Sequence, residues 1–206
     1  MKLYTTARAP NPRRVLMFIA EKGIRDIEPV QVDLGKGEQR DPAFTRLNPL
    51  AQVPLLQLDD GRVLGETRAI CTWLEGLHPQ PNLMGEGFEE RAFIEMADRR
   101  VELGLFMRIA NHLRHAHPGL AHLEQPQFGD FGAAQKDKML DSARWLDGVL
   151  AAQPYVAGER FTIADITAFC ALEFARLMKF RAADAGLAHL QAWRDRIAER
   201  PSAQVV

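Results

Sequence analysis

Residues 48–70 read NPLAQVPLLQLDDGRVLGETRAI and combine signals for a turn, for strands and for a helix start. Two short apolar runs flank the pair Asp60-Gly61, which is a strong signal for a tight β-hairpin because both residues tolerate positive φ. Pro54 opens the first run, where a missing N–H does least harm to a strand. After Gly65 the apolar residues change to helical spacing. The stretch therefore predicts a turn, two paired strands and an abrupt helix start.

The same stretch carries groups suited to holding a peptide. An X–Pro bond loses most of the usual trans preference, so the Val53–Pro54 bond is a candidate for the cis form, which would turn the backbone N–H and C=O of Val53 toward a bound peptide. Glu66 and Thr67 open the helix, beside unpaired N–H groups and the positive end of the helix dipole. A ligand with both a carboxylate and an ammonium group fits this arrangement. The alternative, that Glu66 and Thr67 only cap the helix, stays open.

Composition indicates a soluble globular protein of one or two packed units. The chain has 206 residues, of which 47% are hydrophobic and 26% charged, with a net charge of −1. Interspersed charges of both signs give no indication of nucleic-acid or anionic-membrane binding, and no apolar run approaches the roughly 20 residues that cross a bilayer. The two cysteines, Cys71 and Cys170, form no Cys-x-x-Cys motif. We expect them to be buried free thiols in a reducing cytoplasm.

The order of predicted elements divides the chain into two domains. Residues 1–76 predict the order β-α-β-α-β-β-α, which is the α/β arrangement of a thioredoxin-like domain with a parallel βαβ pair and an antiparallel hairpin in one sheet. Residues 77–86 form a Pro-rich linker, and residues 87–206 carry only helical patterns, so the second domain is predicted to be all-α. Thr162 and Asp165 are spaced as a capping box before an apolar helix.

Three motifs in the first domain, Asn-Pro-x3-Val-Pro, an Asp-Gly hairpin and Glu-Thr at a helix start, together resemble the glutathione-binding half of the glutathione S-transferase family. The Thr-x-x-Asp at residues 162–165 is similar to a hallmark of that family's helical domain, so the resemblance covers nearly the whole chain. It implies the two-domain glutathione S-transferase fold, glutathione as co-substrate, no metal, and a cytoplasmic homodimer.

The resemblance also assigns residues to the parts of glutathione. Val53, with Pro54, pairs with the cysteinyl backbone, and Glu66 and Thr67 hold the γ-glutamyl end. The family positions that bind the glycine carboxylate fall on Gln39 and Gln52. The family position that reaches the γ-glutamyl amine of a neighbouring subunit falls on Asp98.

The residue that would activate the thiol departs from the usual pattern of the family. Enzymes of this family lower the pKa of the bound thiol with a Tyr, Ser or Cys donor in or just after the first strand. Here Thr5 falls near the Tyr position, Ala9 near the Ser position and Asn11 near the Cys position, while Tyr4 is displaced by one residue. Asn11, helped by Thr5, is the predicted donor, which resembles a bacterial branch with Asn, often with Thr, in that role. A plain N-cap role for Asn11 before Pro12 stays open and is compatible with this one.

The second substrate is expected between the loop at Arg8 and a long helix that carries Leu105, Arg108 and His112. The basic side chains indicate a polar or anionic co-substrate. No carboxylate is interleaved with the histidines at ligand spacing, and Pro118 splits them, so no metal site is predicted.

The implied function is transfer of the glutathione thiol to an electrophilic small molecule, as in detoxification. Two alternatives remain. One is a glutathione-dependent disulfide reductase or peroxidase that uses the same thiolate, and the other is a binding scaffold that has lost catalysis, which the inert Ala9 favours.

Overall fold

The computed structural model describes residues 1–6, 9–121 and 123–205. The chain divides into two compact units, one formed by Met1–Asn82 with the segment from Pro201 onward and the other by Leu83–Arg200. The sequence placed the segment from residue 201 in the helical domain. It packs in the first unit instead, because Arg13 donates to the carbonyl oxygen of Ala203 at 2.7 Å and Ser202 hydrogen-bonds to Glu21.

The first unit is thioredoxin-like, as predicted. Its elements are β1 (Lys2–Thr5), α1 (Pro10–Glu21), β2 (Glu28–Gln31), α2 (Pro42–Leu47), β3 (Leu55–Gln57), β4 (Val63–Leu64) and α3 (Thr67–Leu77). The strands form one sheet in the order β2-β1-β3-β4, with β1 parallel to β2 and the other two pairs antiparallel. The predicted βαβαββα order is confirmed.

Strand alternation in β1 assigns its side chains to opposite faces. Leu3 and Thr5 are buried, whereas Tyr4 packs edge-on against Phe44 of α2 at 5.7 Å between ring centroids. The Tyr4 hydroxyl donates to the Gln57 side chain at 3.2 Å. Tyr4 therefore belongs to the α2 side of the sheet.

The C-terminal end of α1 is anchored by a buried cation. The side chain of Lys22 has no exposed surface, and its Nζ lies 2.5 Å from a carboxylate oxygen of Glu75. It also donates to the carbonyl oxygens of His78 and Pro81, both at 2.7 Å. These contacts tie the C-terminal end of α1 to the end of α3 and so help to fix the relative position of the two helices.

The second unit is all-α, as predicted. Its helices are α4 (Gly87–Val101), α5 (Met107–Ala116), α6 (Gly129–Ala152), α7 (Ile163–Ala175) and α8 (Ala188–Ala198). The central helix α7 is buried along almost its whole length. Within the described ranges, no helix has both the length and the apolar character that a membrane span requires.

The long helix expected around Leu105 is interrupted. A π-helical segment, Glu102–Phe106, separates α4 from α5. The hydroxyl of Ser142 on α6 donates to the carbonyl oxygen of Gly104 in this segment at 2.7 Å. A Cβ on Gly104 would lie 3.4 Å from that hydroxyl oxygen, so glycine allows the close approach.

The predicted capping box at the start of α7 is confirmed. Thr162 accepts from the backbone N–H of Ala164, and Asp165 accepts from the backbone N–H of Thr162 at 2.9 Å. Asp165 also accepts from the N–H of Val156 at 3.0 Å and the indole N–H of Trp193 at 3.1 Å. Complete burial raises the pKa of the Asp165 carboxyl to about 6, against the opposing effect of these donors.

Candidate functional site

Val53 presents a free backbone pair at the start of the hairpin. The preceding turn is closed by Asn48, whose amide donates to the carbonyl oxygen of Gln52 at 2.8 Å and whose side-chain oxygen accepts from the N–H of Leu50. The strand that follows begins to pair only at Leu55. Within the described ranges, neither the N–H nor the C=O of Val53 has a hydrogen-bond partner, and the Val53–Pro54 bond is cis. A partly buried backbone pair of this kind is available to an extended peptide.

Glu66 is held in an uncommon backbone conformation. It is the N-cap of α3 with φ 61° and ψ 119°, and its exposed side chain makes no capping hydrogen bond. Positive φ in a residue with a Cβ costs about 1–3 kcal/mol and concentrates at functional sites. Glu66 therefore occupies the N-cap position through its backbone, and its carboxylate is not used as a capping acceptor. The alternative that Glu66 and Thr67 only cap the helix stays open.

Thr67 brings the two helix N-termini together. Its side chain is buried at the first residue of α3, and its hydroxyl lies 3.5 Å from the carbonyl oxygen of Asn11 on α1. At this distance the contact is at the limit of a hydrogen bond, so the hydroxyl can turn to a ligand at little cost. A predicted binding residue and a predicted catalytic residue are thus neighbours, although 56 positions separate them.

Asn11 lies in the first turn of α1 between two prolines and carries both a backbone N–H and a side-chain N–H2. The N-cap is Ala9, and Pro10 and Pro12 have no N–H. The first backbone bond of the helix runs from Arg13 to Ala9. The backbone N–H and side-chain N–H2 of Asn11 have no partner among the described residues, and the side chain is exposed. The alternative N-cap role for Asn11 is therefore wrong, because that position belongs to Ala9.

Comparison with known proteins identifies the family of this chain. Residues 9–77 match the family model of the glutathione S-transferase N-terminal domain, and residues 132–201 match that of the C-terminal domain. Glutathione S-transferase 2 of Saccharomyces cerevisiae is 37% identical over 204 residues, which cover 98% of this chain and 87% of that protein. The chain belongs to the glutathione S-transferase family.

Solved structures of glutathione S-transferases agree with this assignment. Gtt2 from Saccharomyces cerevisiae superposes with a TM-score of 0.92 at 36% identity over 99% of both chains. A glutathione S-transferase domain-containing protein from Marinobacter aquaeolei gives a TM-score of 0.92 at 42% identity, over 98% of this chain and 99% of the other. Glutathione S-transferase GstA of Escherichia coli O157:H7 is 33% identical over 87% of this chain and 85% of its own length. This glutathione transferase therefore has the predicted two-domain fold.

Arg14 is a site residue that the sequence did not suggest. Its side chain is among the largest that are fully buried, and its Nη1 donates to the Oδ1 of Asn11 at 3.3 Å. A guanidinium only donates, so this contact assigns the oxygen of the Asn11 amide to the Arg14 side and turns the N–H2 away. A lone basic residue on an apolar helix face carries no sequence signal, and only the fold shows that it orients Asn11.

The two glutamines predicted to bind the glycine end differ in setting. Gln39 is buried, and its side-chain oxygen has no hydrogen-bond partner in the part of the chain that the structure describes. A buried acceptor without a partner is costly, so this oxygen would gain from an N–H donated by a ligand. Gln52 is exposed, and its backbone carbonyl oxygen is already taken by Asn48.

The catalytic assignment of Thr5 has to be corrected. Its side chain has no exposed surface, and its hydroxyl is buried without a partner among the residues described. It lies on the core side of β1, and as placed it does not touch a bound thiol. Asn11 remains as the predicted donor.

Two predicted contact residues on the helical unit are also corrected. Asp98 is fully buried, accepts from the Thr167 hydroxyl at 2.6 Å and pairs with Arg99 at 2.9 Å. A carboxylate without exposed surface does not reach a ligand on a neighbouring subunit, so Asp98 serves the packing of α4 against α7. Leu105 is 1% exposed and is likewise a core residue.

The remaining residues predicted for the second substrate are partly accessible, except that Arg8 lies outside the described residues. Arg108 donates to the side chain of Gln135 at 2.8 Å. The Nδ1 of His112 lies 2.9 Å from the carbonyl oxygen of Gly132. A carbonyl oxygen only accepts, so Nδ1 carries the proton and Nε2 of the neutral ring is an acceptor. No group of three or more potential metal ligands occurs in the described part of the chain.

Proposed function

We propose that the first unit binds glutathione and that the enzyme transfers its thiol to an electrophilic small molecule. The unpaired backbone of Val53 carries the proposal. The cysteinyl residue of glutathione has one N–H and one C=O, and it can pair with both groups of Val53 in the manner of a strand added to a sheet edge.

The γ-glutamyl end supplies the second anchor. Its ammonium group would face the free carboxylate of Glu66, and its carboxylate would accept from the Thr67 hydroxyl and the unpaired N–H groups at the start of α3. The positive φ of Glu66 supports this role, because a strained residue without a capping bond is best explained by a ligand. The side-chain N–H2 groups of Gln39 and Gln52 would donate to the glycine carboxylate, and the unpartnered side-chain oxygen of Gln39 can accept from an N–H of the ligand.

Asn11 is proposed as the group that lowers the thiol pKa. Its side-chain N–H2 and backbone N–H both lie at the positive end of α1, and hydrogen bonds to a thiolate favour ionisation. The proton leaves the sulfur for solvent water. The thiolate lone pair then forms a C–S bond to the electrophile, whose leaving group departs with its bonding electrons. We retain Arg108 and His112 as contacts for a polar electrophile.

The disulfide or peroxide alternative uses the same thiolate. Both cysteines, Cys71 and Cys170, are buried, so a protein thiol is poorly placed to exchange with a substrate. Any disulfide chemistry would therefore run between glutathione molecules. Comparing chloronitrobenzene conjugation with reduction of a glutathione mixed disulfide separates the two activities.

We also propose a cytoplasmic homodimer with a role in detoxification. Two apolar surfaces support the dimer, one on each unit. On the first unit, a groove along α3 is lined by Leu64, Ala69, Trp73 and Leu77. On the second unit, Met96, Leu103 and Trp145 are 40%, 61% and 40% exposed. Exposed apolar patches mark interaction sites, and two-fold dimers are the commonest assembly.

The experiment measures the nuclear magnetic resonance signal of the Val53 backbone amide. The protein is labelled with ¹⁵N-valine and titrated with glutathione, and we expect the Val53 amide resonance to shift with saturation. The Val156 amide, already donated to Asp165, is the internal control and should not move. Glu66→Gln should weaken glutathione binding at least about tenfold, whereas the exposed-strand variant Glu28→Gln should leave it unchanged. A saturating titration that leaves the Val53 amide unmoved would refute the proposal.

A further inference from the structure

A second polar cavity lies wholly within the helical unit. It has a volume of about 230 Å³, is partly open to solvent, and is bounded by the end of α7, the segment that follows it and one face of α8. Its lining residues are Leu172, Glu173, Arg176, Phe180, Arg181, Ala182, Gln191 and Arg194. Sites for drug-sized molecules occupy about 300–1,000 Å³, so this cavity suits a small ion or a single charged group.

The cavity has more hydrogen-bond donors than acceptors. Each guanidinium carries five N–H donors and no acceptor. Arg176 uses one to reach Glu173 at 3.3 Å, and Arg181 has no partner among the described residues. Arg194 gives two to Glu173 and one to Asp195, which leaves two of its five. The single lining carboxylate is already engaged, so the unused groups are almost all donors.

The carboxylate of Glu173 holds the guanidinium of Arg194 in place beside the cavity. It accepts from Nε and Nη2 of Arg194 at 3.1 and 2.5 Å, and its side chain is only 15% exposed. The Arg194 guanidinium also lies 5.9 Å from the ring centroid of Phe169. One arginine is thus fixed in orientation, while Arg176 and Arg181 remain adjustable.

The simplest other role for these arginines is to complement the negative end of the α7 dipole. Arg176 occupies the C-cap of α7 and suits that role. The helix dipole does not account for Arg181, which does not lie at the end of α7, or for the partly open cavity that all three arginines line.

We propose that this cavity binds a phosphate group, either inorganic phosphate or the phosphate of a small monoester. Three arginines from three segments of the chain line the cavity, and the tetrahedral oxygens of phosphate accept from several directions at once. A planar carboxylate is fully paired by the two parallel N–H groups of one guanidinium, so it does not require three arginines. The site goes beyond glutathione transfer and shares no residue with the glutathione-binding unit.

The experiment uses the full chain, with sodium phosphate, glycerol phosphate and succinate as probes. Binding is measured by calorimetry, and melting is compared with sodium chloride of equal ionic strength. We expect saturable binding of inorganic phosphate, with succinate at least about tenfold weaker. Tighter binding of glycerol phosphate than of inorganic phosphate would identify a monoester as the ligand, and the reverse would identify the free ion.

The double variant Arg176→Gln/Arg181→Gln should weaken phosphate binding at least about tenfold. Both side chains are exposed, so the variant is expected to fold. Arg25→Gln/Arg46→Gln removes the same charge from exposed positions on the other unit and should bind phosphate normally. Glutathione affinity, measured in parallel, should not change in either variant. Absence of saturable phosphate binding, an equal loss in the control, or a lower melting temperature with undiminished phosphate binding would overturn the proposal.

Discussion

At the scale of single residues, Glu66 carries both strain and the proposed ligand contact. Glycine tolerates positive φ without a Cβ penalty, so Glu66→Gly should stabilise the free protein by about 1 kcal/mol while weakening glutathione binding. Glu66→Ala keeps the Cβ and should lose affinity without that gain. Urea unfolding and calorimetry measure the two effects.

Ala51 provides the matched control, because it too has positive φ, at 53°. Ala51→Gly should raise stability by a similar amount and retain glutathione binding. If Glu66→Gly bound glutathione as tightly as the parent protein, the carboxylate would have no part in the site.

Asn11 tests the activation of the thiol. Asn11→Ala removes the side-chain donor but keeps the backbone N–H, so the pKa of bound glutathione thiol should rise by about 1 unit while affinity changes less than about threefold. Ultraviolet absorption of the thiolate, followed against pH, gives the pKa. Asn11→Ser retains a donor and should recover part of the shift. An unaltered titration in Asn11→Ala would remove this residue from the mechanism.

The residue scale also shows the limit of sequence reasoning. Val53, Glu66 and Thr67 stand in a recognisable motif, and the structure gives each of them a free or redirectable polar group. The burial of Thr5 and Asp98 follows from packing between elements distant in sequence, as when Thr167 reaches Asp98 across 69 positions. No local pattern carries that information.

At the scale of elements, periodicity and turn chemistry predicted the hairpin, the order of elements along the first unit and the capping box. These depend on neighbours within a few positions. The start of α1 was placed too late, because Pro10 and Pro12 suggest a loop, whereas proline is tolerated in the first helical turn. The π-helical segment at Gly104 was also missed; the hydroxyl of Ser142 on another helix donates to it, a contact that no local pattern reveals.

Asp165 predicts the pH dependence of the helical unit. Its pKa is raised from 3.8 to about 6 in the folded protein, so the folded state binds a proton more readily than the unfolded state. Between these values the contribution of Asp165 to stability therefore falls as pH rises, and it is constant above pH 6 to 7. The total change is on the order of 3 kcal/mol.

The contribution of Asp165 is isolated by comparing the pH dependence of unfolding of the parent protein with that of Asp165→Asn. The asparagine side chain of this variant does not titrate. The difference in unfolding free energy between the two proteins should decline from about pH 4 to about pH 6. Should Asp165→Asn fail to fold, the carboxyl ¹³C resonance of Asp165 gives the pKa directly. A carboxyl that titrates near 4 would contradict the prediction.

At the scale of the whole molecule, the sequence predicted two units of the correct classes but assigned the C-terminal segment to the wrong one. Composition and periodicity distinguish a helical from a mixed domain. They do not reveal that Ala203 offers its carbonyl oxygen to Arg13, 190 positions earlier. Long-range packing of this kind decides where a chain end lies.

The apolar surfaces predict the assembly. A second copy that covers the α3 groove and the Leu103 face would remove large exposed side chains from water, which is favourable in proportion to area. Leu77→Glu and Leu103→Glu, each at a half-exposed or more exposed position, should shift the protein from dimer to monomer in sedimentation equilibrium. Leu177→Glu places the same charge at a 53% exposed leucine outside both surfaces and should remain dimeric. A monomeric parent protein, or equal dissociation of all three variants, would show that these surfaces are not the interface.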